Sequence, residues 1–427
     1  MLDLVPDENF QFMRPDKFIC YTLVVIILGG CTKSYPNNNN TPNIDNPQGT
    51  FYINRVGYFI KLDAIQDSTI WLSNTVNLSN AVNNPMCFDG NYFYHGNYNG
   101  ITNYSAQNGQ PIWSFSWVAF SDAIPYREVA FSDSTVFVAA PTSMWDWAQL
   151  FCLKKSTGAL VWQKPIDKGS VSVNFNSIPI VYNNSVILLT RDQNNQQFLT
   201  SYNISNGSQL WSVSVSNNMS SKLWLLNGKL YSAYGLNAFC FDANNGSLLW
   251  QTNLNTTNYL QTYNFLEANQ LFVVKVLSNS NYKVITINIA DGTIVNNYNI
   301  TVPTTYSTYS QLYAPLGCAY RNNQLVLASY NTVDSLDIIS FDIAHSVQKW
   351  KTRVANSLLT GEEPLITDKY VIFPINDNYN TPNNALSNMI FMDLNGNIVK
   401  KLPYHSTYTD RFYYKENGVQ YEQMSHF

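Results

Sequence analysis

Six cysteines, four histidines and the adjacent pair Glu362-Glu363 are the side chains of this 427-residue chain that could do chemistry. Their spacing limits what that chemistry is. A protein metal site is built from ligands such as His and Cys, typically at short, regular spacings such as CxxC or HxH. His95, His345, His405 and His426 lie far apart, and no two cysteines stand as CxxC. A serine elbow needs G-x-S-x-G, a phosphate cradle needs a P-loop and a calcium loop needs alternating acids, and none of these occurs. Glu362 and Glu363 sit in LLTGEEPLI, which reads as a solvated loop. No catalytic, cofactor-binding or metal-binding residue is assigned, and the chain is expected to be no enzyme and to need no cofactor.

Cys31 is the exception among the cysteines. It follows MRPDKFICYTLVVIILGG, with basic Arg14 and Lys17, an eleven-residue apolar run from Phe18 to Leu28, and two glycines. That run is short for a membrane span, which needs about 20 residues, and reads as a secretory signal. LGGC, Leu28 to Cys31, resembles the lipobox of bacterial lipoproteins, which implies lipidation at Cys31 after cleavage. The expected organisation is a signal over 1–30, with Met13 the working start, a lipidated and disordered Asn/Pro-rich tether over 31–50, and one folded domain over 51–427. Cys87, Cys152, Cys240 and Cys318 are left, and their places in the chain predict buried thiols rather than disulfides.

The element that must position everything else is a repeat. ANNGSLLWQTN places Gly246 four residues before Trp250, and the same interval separates Gly109 from Trp113, Gly158 from Trp162 and Gly207 from Trp211. Degenerate copies sit at Asp67 and Trp71, Gly292 and Asn296, Ser346 and Trp350, and Gly396 and Lys400. The eight copies recur at a mean of roughly 47 residues, a period typical of propeller blades. Each copy reads as strand, turn and strand. Between them lies a second series of hairpins with turns at Asp89-Gly90, Asp133-Ser134, Asn183-Asn184, Asn227-Gly228, Ala268-Asn269, Asn322-Asn323 and Thr367-Asp368. Two hairpins per period make a four-stranded antiparallel blade. The tail FYYKENGVQYEQMS supplies the hairpin missing from the first copy, so the fold class is an all-β, eight-bladed β-propeller closed by its own ends, with seven blades as the alternative.

The pattern of apolar strand, polar slot, glycine turn and tryptophan resembles the pyrroloquinoline-quinone-type propeller repeat, and FCFDANNGSLLW is its nearest copy here. The resemblance implies that Trp71, Trp113, Trp162, Trp211, Trp250 and Trp350 dock blade on blade. Two kinds of protein carry such repeats: quinone-dependent alcohol or sugar dehydrogenases, and non-enzymatic scaffolds such as the lipoprotein of the outer-membrane barrel-assembly machinery. The dehydrogenases are alike in a vicinal Cys-Cys disulfide against the quinone, and no two cysteines here are adjacent. The leading expectation is a lipid-anchored scaffold or binding protein of the bacterial cell envelope, working in outer-membrane protein assembly; a quinone-dependent alcohol or sugar dehydrogenase and a glycan-binding surface lipoprotein are the alternatives.

Composition narrows the partners. Charged residues are 12% of the chain, aromatic residues 15%, and the net charge is −4, so there is no basic footprint for nucleic acid. The expected partners are a membrane, through the lipid, and a protein, with a glycan as the alternative. Strand parity puts the glycine turns on one face of the ring and the longer links on the other. Trp145 and Trp147 in SMWDWAQ, with Tyr306, Tyr309 and Tyr313 in TTYSTYSQLY, fall in those links and are the candidate partner-binding residues.

Overall fold

The structure is a computed structural model. It describes residues 49–422 except 56–57, 67, 73–85, 98–99, 118–128, 142–147, 168–178, 195, 216–222, 257–260, 268, 279–280, 302–316, 333–334, 356–357, 360–363, 377–386, 405–408 and 417–418. Among the described residues there is no helix, and the strands form eight antiparallel blades.

Blade five shows the plan. Trp224–Leu226, Lys229–Tyr234, Asn237–Asp242 and Leu248–Asn253 pair in chain order, from inner strand to outer. Its two middle strands are buried and alternate between the two neighbouring blades: Leu230, Phe239 and Phe241 pack toward blade four, Tyr231, Ala233 and Cys240 toward blade six. The outer strand is largely exposed on one face. This is the period-2 alternation of a strand with both faces covered in the middle of the sheet and one edge in water. Blades two, three, four, six and seven repeat the order, and in blade eight the inner strand is split into Leu358–Leu359 and Leu365–Ile366, both pairing with Tyr370–Asn376.

The ring closes in blade one, where the two chain ends meet. Thr409–Glu416 runs antiparallel to Thr50–Arg55 with Phe51 opposite Tyr414. The blade holds five strands rather than four, because the N-terminal end contributes three of them: Thr50–Arg55, Tyr58–Asp63 and Ser68–Leu72. Burial explains the extra strand. Phe51 is fully buried, with ring centroids 4.8 Å from Tyr414 and 5.2 Å from Phe391 of blade eight. The fifth strand, Val419–Glu422, lies beside the inner strand of blade eight.

The two hairpins of each blade use different turns. The inner ones are tight: Asn227 and Gly228 have φ of 51° and 71°, and Asn322 and Asn323 have 50° and 60°, the left-handed pair that a two-residue hairpin demands. The glycine turns are wider than an Asn-Gly pair suggests. Gly246 N–H donates to Asp242 C=O at 2.8 Å, with a register shift just beyond it, and the Asp242 carboxylate accepts from Asn244 N–H at 2.7 Å. The two turns of a blade also bond to each other, as Ala243 N–H does to Gly228 C=O at 2.9 Å. Both turn series therefore share one face of the ring.

Candidate binding surfaces

The repeated glycine and tryptophan meet across blades, not within them. A Cβ at Gly158 would stand 2.5 Å from Trp113, at Gly207 2.8 Å from Trp162, at Gly246 2.6 Å from Trp211, at Gly292 2.7 Å from Trp250 and at Gly396 2.6 Å from Trp350. Gly109 meets Trp71 in the same way at 2.7 Å. Each indole so lies flat on the turn of the next blade. The Nε1–H of Trp113, Trp162, Trp250 and Trp350 donates to the carbonyls of Lys155, Ile204, Ile289 and Leu394 at 2.8, 2.9, 3.0 and 2.8 Å. On the facing strand, the residue directly opposite the indole is small or polar: Asn103, Cys152, Ser201, Cys240 or Ser340.

Two joints lack this device. Blade six has Asn296 in the tryptophan slot, and Tyr298, two residues on and thus on the same strand face, points its hydroxyl at Ile343 C=O at 3.4 Å. Blade eight has Lys400, whose ammonium donates to Ala64 C=O of blade one.

The reactive side chains are held inert. Cys87, Cys152, Cys240 and Cys318 are buried and outside any disulfide. Burial pushes the Cys152 thiol up to about 12 and the Cys240 thiol to about 11, far from thiolate at neutral pH. Burial lowers His95 to about 4, so its ring is neutral. Among the described residues no group of three His, Cys, Asp or Glu could hold a metal ion. Glu362 and Glu363, Cys31, Trp145, Trp147, Tyr306, Tyr309 and Tyr313 lie outside the described residues.

On the face away from the turns, the described residues gather charge in the clefts on either side of blade six. Lys275 and Lys283 are direct cross-strand partners. Lys275 is fully buried and donates to Gly235 C=O in blade five, while Lys283 Nζ lies 3.3 Å from Asn255 C=O. Burial, then the neighbouring Lys283 charge, lowers Lys275 to about 8. Beside them Trp224 Nε1–H donates to Asn264 Oδ1 at 2.5 Å, tying blade five to blade six. In the next cleft Asp337, 2% exposed, is bridged by Lys351 at 2.7 Å and Arg353 at 2.9 Å. Burial alone would raise its carboxyl, but the hydrogen bonds and charges of Arg353 and Lys351 outweigh that and lower it. Sequence reasoning missed this cluster: Lys275 stands in QLFVVKV, where the flanking aliphatics hide it as part of a core strand.

Comparison with known proteins agrees with this architecture. No curated protein sequence matches the chain. The solved structure of dihydro-heme d1 dehydrogenase NirN is similar at a TM-score of 0.58 and 13% identity, covering 87% of this chain and 76% of that one. Quinohemoprotein alcohol dehydrogenase from Comamonas testosteroni gives 0.53 and 11%, covering 77% and 69%. BamB from Moraxella catarrhalis gives 0.47 and 18%, covering 67% and 80%. The likenesses to the two dehydrogenases show a shared fold. A family model described as outer membrane protein assembly factor BamB matches residues 97–275 and 196–380, more than half the chain, and the chain belongs to that family.

Proposed function

We propose that the protein is a non-enzymatic scaffold of the bacterial cell envelope, lipidated at Cys31 and held at the outer membrane, where it binds polypeptide partners in outer-membrane protein assembly. The family match over residues 97–380 carries this reading. The inert states of His95, Cys152 and Cys240 support it, since each is buried where a nucleophile or base would need access. Partners dock on the face away from the glycine turns. Strand parity assigns the links with Trp145, Trp147, Tyr306, Tyr309 and Tyr313 to that face, and the Lys275–Lys283 and Asp337–Arg353 clusters gather charge on the same face.

Capture from detergent-solubilised envelope, followed by mass spectrometry, tests the reading. Enrichment of barrel-assembly components supports it, and loss of that enrichment with Trp145→Ala and Trp147→Ala at unchanged melting temperature assigns the face. Turnover of an alcohol or sugar by the purified protein with added quinone and calcium would overturn it. Release of a Cys31→Ser variant into the soluble fraction checks the anchor.

A further inference from the structure

The outer strand of each blade has a second edge, and among the described residues that edge pairs with no strand, apart from one bridge between Asp167 and Arg191. Such an edge offers a row of unpaired N–H and C=O groups to any other extended chain, and proteins guard it with lysine, proline or brevity. Four outer strands run to seven residues or more: Leu160–Asp167, Ile294–Thr301, Val347–Ala355 and Ile398–Tyr404. Three are guarded. The first carries Lys164, Pro165 and Asp167, the third Lys349, Lys351 and Arg353, the fourth Lys400, Lys401 and Pro403.

The strand of blade six, IVNNYNIT, carries neither charge nor proline. Ile294 and Val295 are 37% and 48% exposed, and Asn296, Asn297 and Asn299 are exposed beside them. Its other edge is paired with residues 281–287, with Ile294 and each residue from 296 to 301 partnered and Val295 standing in a register shift, so the template is already ordered. It is also the one outer strand whose slot holds Asn296, so its face has given up the tryptophan that the other long strands use or replace with lysine.

We propose that Ile294–Thr301 is a β-augmentation site, which takes an extended, uncharged polypeptide segment with alternating aliphatic residues as a fifth strand of blade six. The proposal rests on the scaffold reading and adds the chemistry of the partner. An extended chain is the fitting occupant because its backbone has the complementary row of donors and acceptors, whereas a helix has used its own. Eight residues at about 3.4 Å each give roughly 27 Å of ladder. Aliphatic side chains of the incoming strand would then lie beside Ile294 and Val295.

The test uses the purified full chain and a fluorescent peptide of four alternating Thr-Val pairs. The expected result is saturable binding with slowed amide exchange confined to 294–301. The same peptide N-methylated at every residue should bind at least about tenfold more weakly, because it has lost its donors. Val295→Lys with Asn297→Lys should weaken binding of the unmethylated peptide at least about tenfold at an unchanged melting temperature; if that pair unfolds, Asn297→Lys alone serves, since its side chain is in water. Equal binding of the methylated peptide, protection on another strand, or full affinity in the lysine variants overturns the proposal. If the peptide fails to bind while the parent still captures envelope partners, the edge is refuted and the scaffold reading stands.

Discussion

Six joints of this ring are made by an indole lying on a glycine, and two are not: blade six to seven, through Tyr298, and blade eight to one, through Lys400. The difference is coupled across the joint. Every glycine of the turn series follows a blade that supplies a tryptophan, and the two turn slots without glycine, Ser346 and Asp67, follow the two blades that do not. A Cβ is excluded only where an indole needs the space. What looks in one repeat like decay of the pattern is therefore a property of pairs of neighbours, and the glycine is required by packing as well as by its left-handed φ.

The joint at blade one should be the most sensitive to loss of chain rather than of a side chain. It depends on a six-residue register between Thr50–Arg55 and Thr409–Glu416 and on the rings of Phe51, Tyr414 and Phe391. Deleting residues 409–427 removes that ladder and leaves two open edges. The expected outcome is loss of the soluble monomer, or a melting temperature lower by more than about 10 °C, seen by calorimetry and size exclusion. A truncated monomer with the parent's melting temperature would mean that indole joints alone hold the ring.

The indole joints can be broken from either side. Trp250→Ala should cost about 3–5 kcal/mol, through lost burial and the orphaned Ile289 carbonyl. Gly292→Ala should cost about 2–4 kcal/mol, because its Cβ meets the indole 2.7 Å away at a φ of 77°. In the double variant the clash has gone, and a coupling of at least about 1 kcal/mol is expected from denaturant titrations. Additive losses would refute the claim that the two residues are one device.

Much of this was legible in sequence, because a fixed interval of four between Gly and Trp survives in several copies and marks the outer hairpin of each blade. The eight-blade count and the closure by the two ends follow from that spacing. Three things did not show. Thr50–Arg55 stands ahead of the first copy, where only a linker is expected, yet it is a strand between Tyr58–Asp63 and Thr409–Glu416. Tyr298 does its work two residues beyond the expected slot, which only strand parity makes equivalent. Lys275 is hidden among the aliphatics of QLFVVKV, and nothing local shows that its amine meets the neighbouring blade. Trp145, Trp147, Tyr306, Tyr309 and Tyr313 fall outside the described residues.

The joint from blade five to six has its indole at the turns and a charged contact at the opposite face, and pH separates the two. Lys275 is lowered to about 8 from 10.5, so between those values the unfolded chain binds the extra proton. Stability should rise with pH across that window, while below about 8 the amine is charged in both states and the full burial penalty is present. Relative to Lys275→Met, the parent should gain on the order of 1–2 kcal/mol between pH 8 and 10, measured by denaturant titration. A constant difference across that range would show that the amine is solvated and that Trp250 alone defines the joint.

The smallest expected effects sharpen the comparison most, because they ask whether the two unusual joints are adapted or merely worn. Tyr298→Phe removes one long hydrogen bond, 3.4 Å, and should cost no more than about 0.5–1 kcal/mol. At the facing turn Ser346 holds a φ of 57° with no indole above it. A non-glycine residue there bears a cost of about 1 kcal/mol that glycine would relieve, partly offset by glycine's greater freedom in the unfolded chain. Ser346→Gly should therefore stabilise by less than about 1 kcal/mol, whereas the reverse change at Gly246, Gly246→Ser, should cost at least about 2 kcal/mol, because its Cβ would stand 2.6 Å from Trp211. The same pair of residues exchanged in opposite directions thus gives opposite signs and unequal sizes. Equal and opposite changes in melting temperature would mean that φ alone selects the glycine, and that the indole of the preceding blade has no part in it.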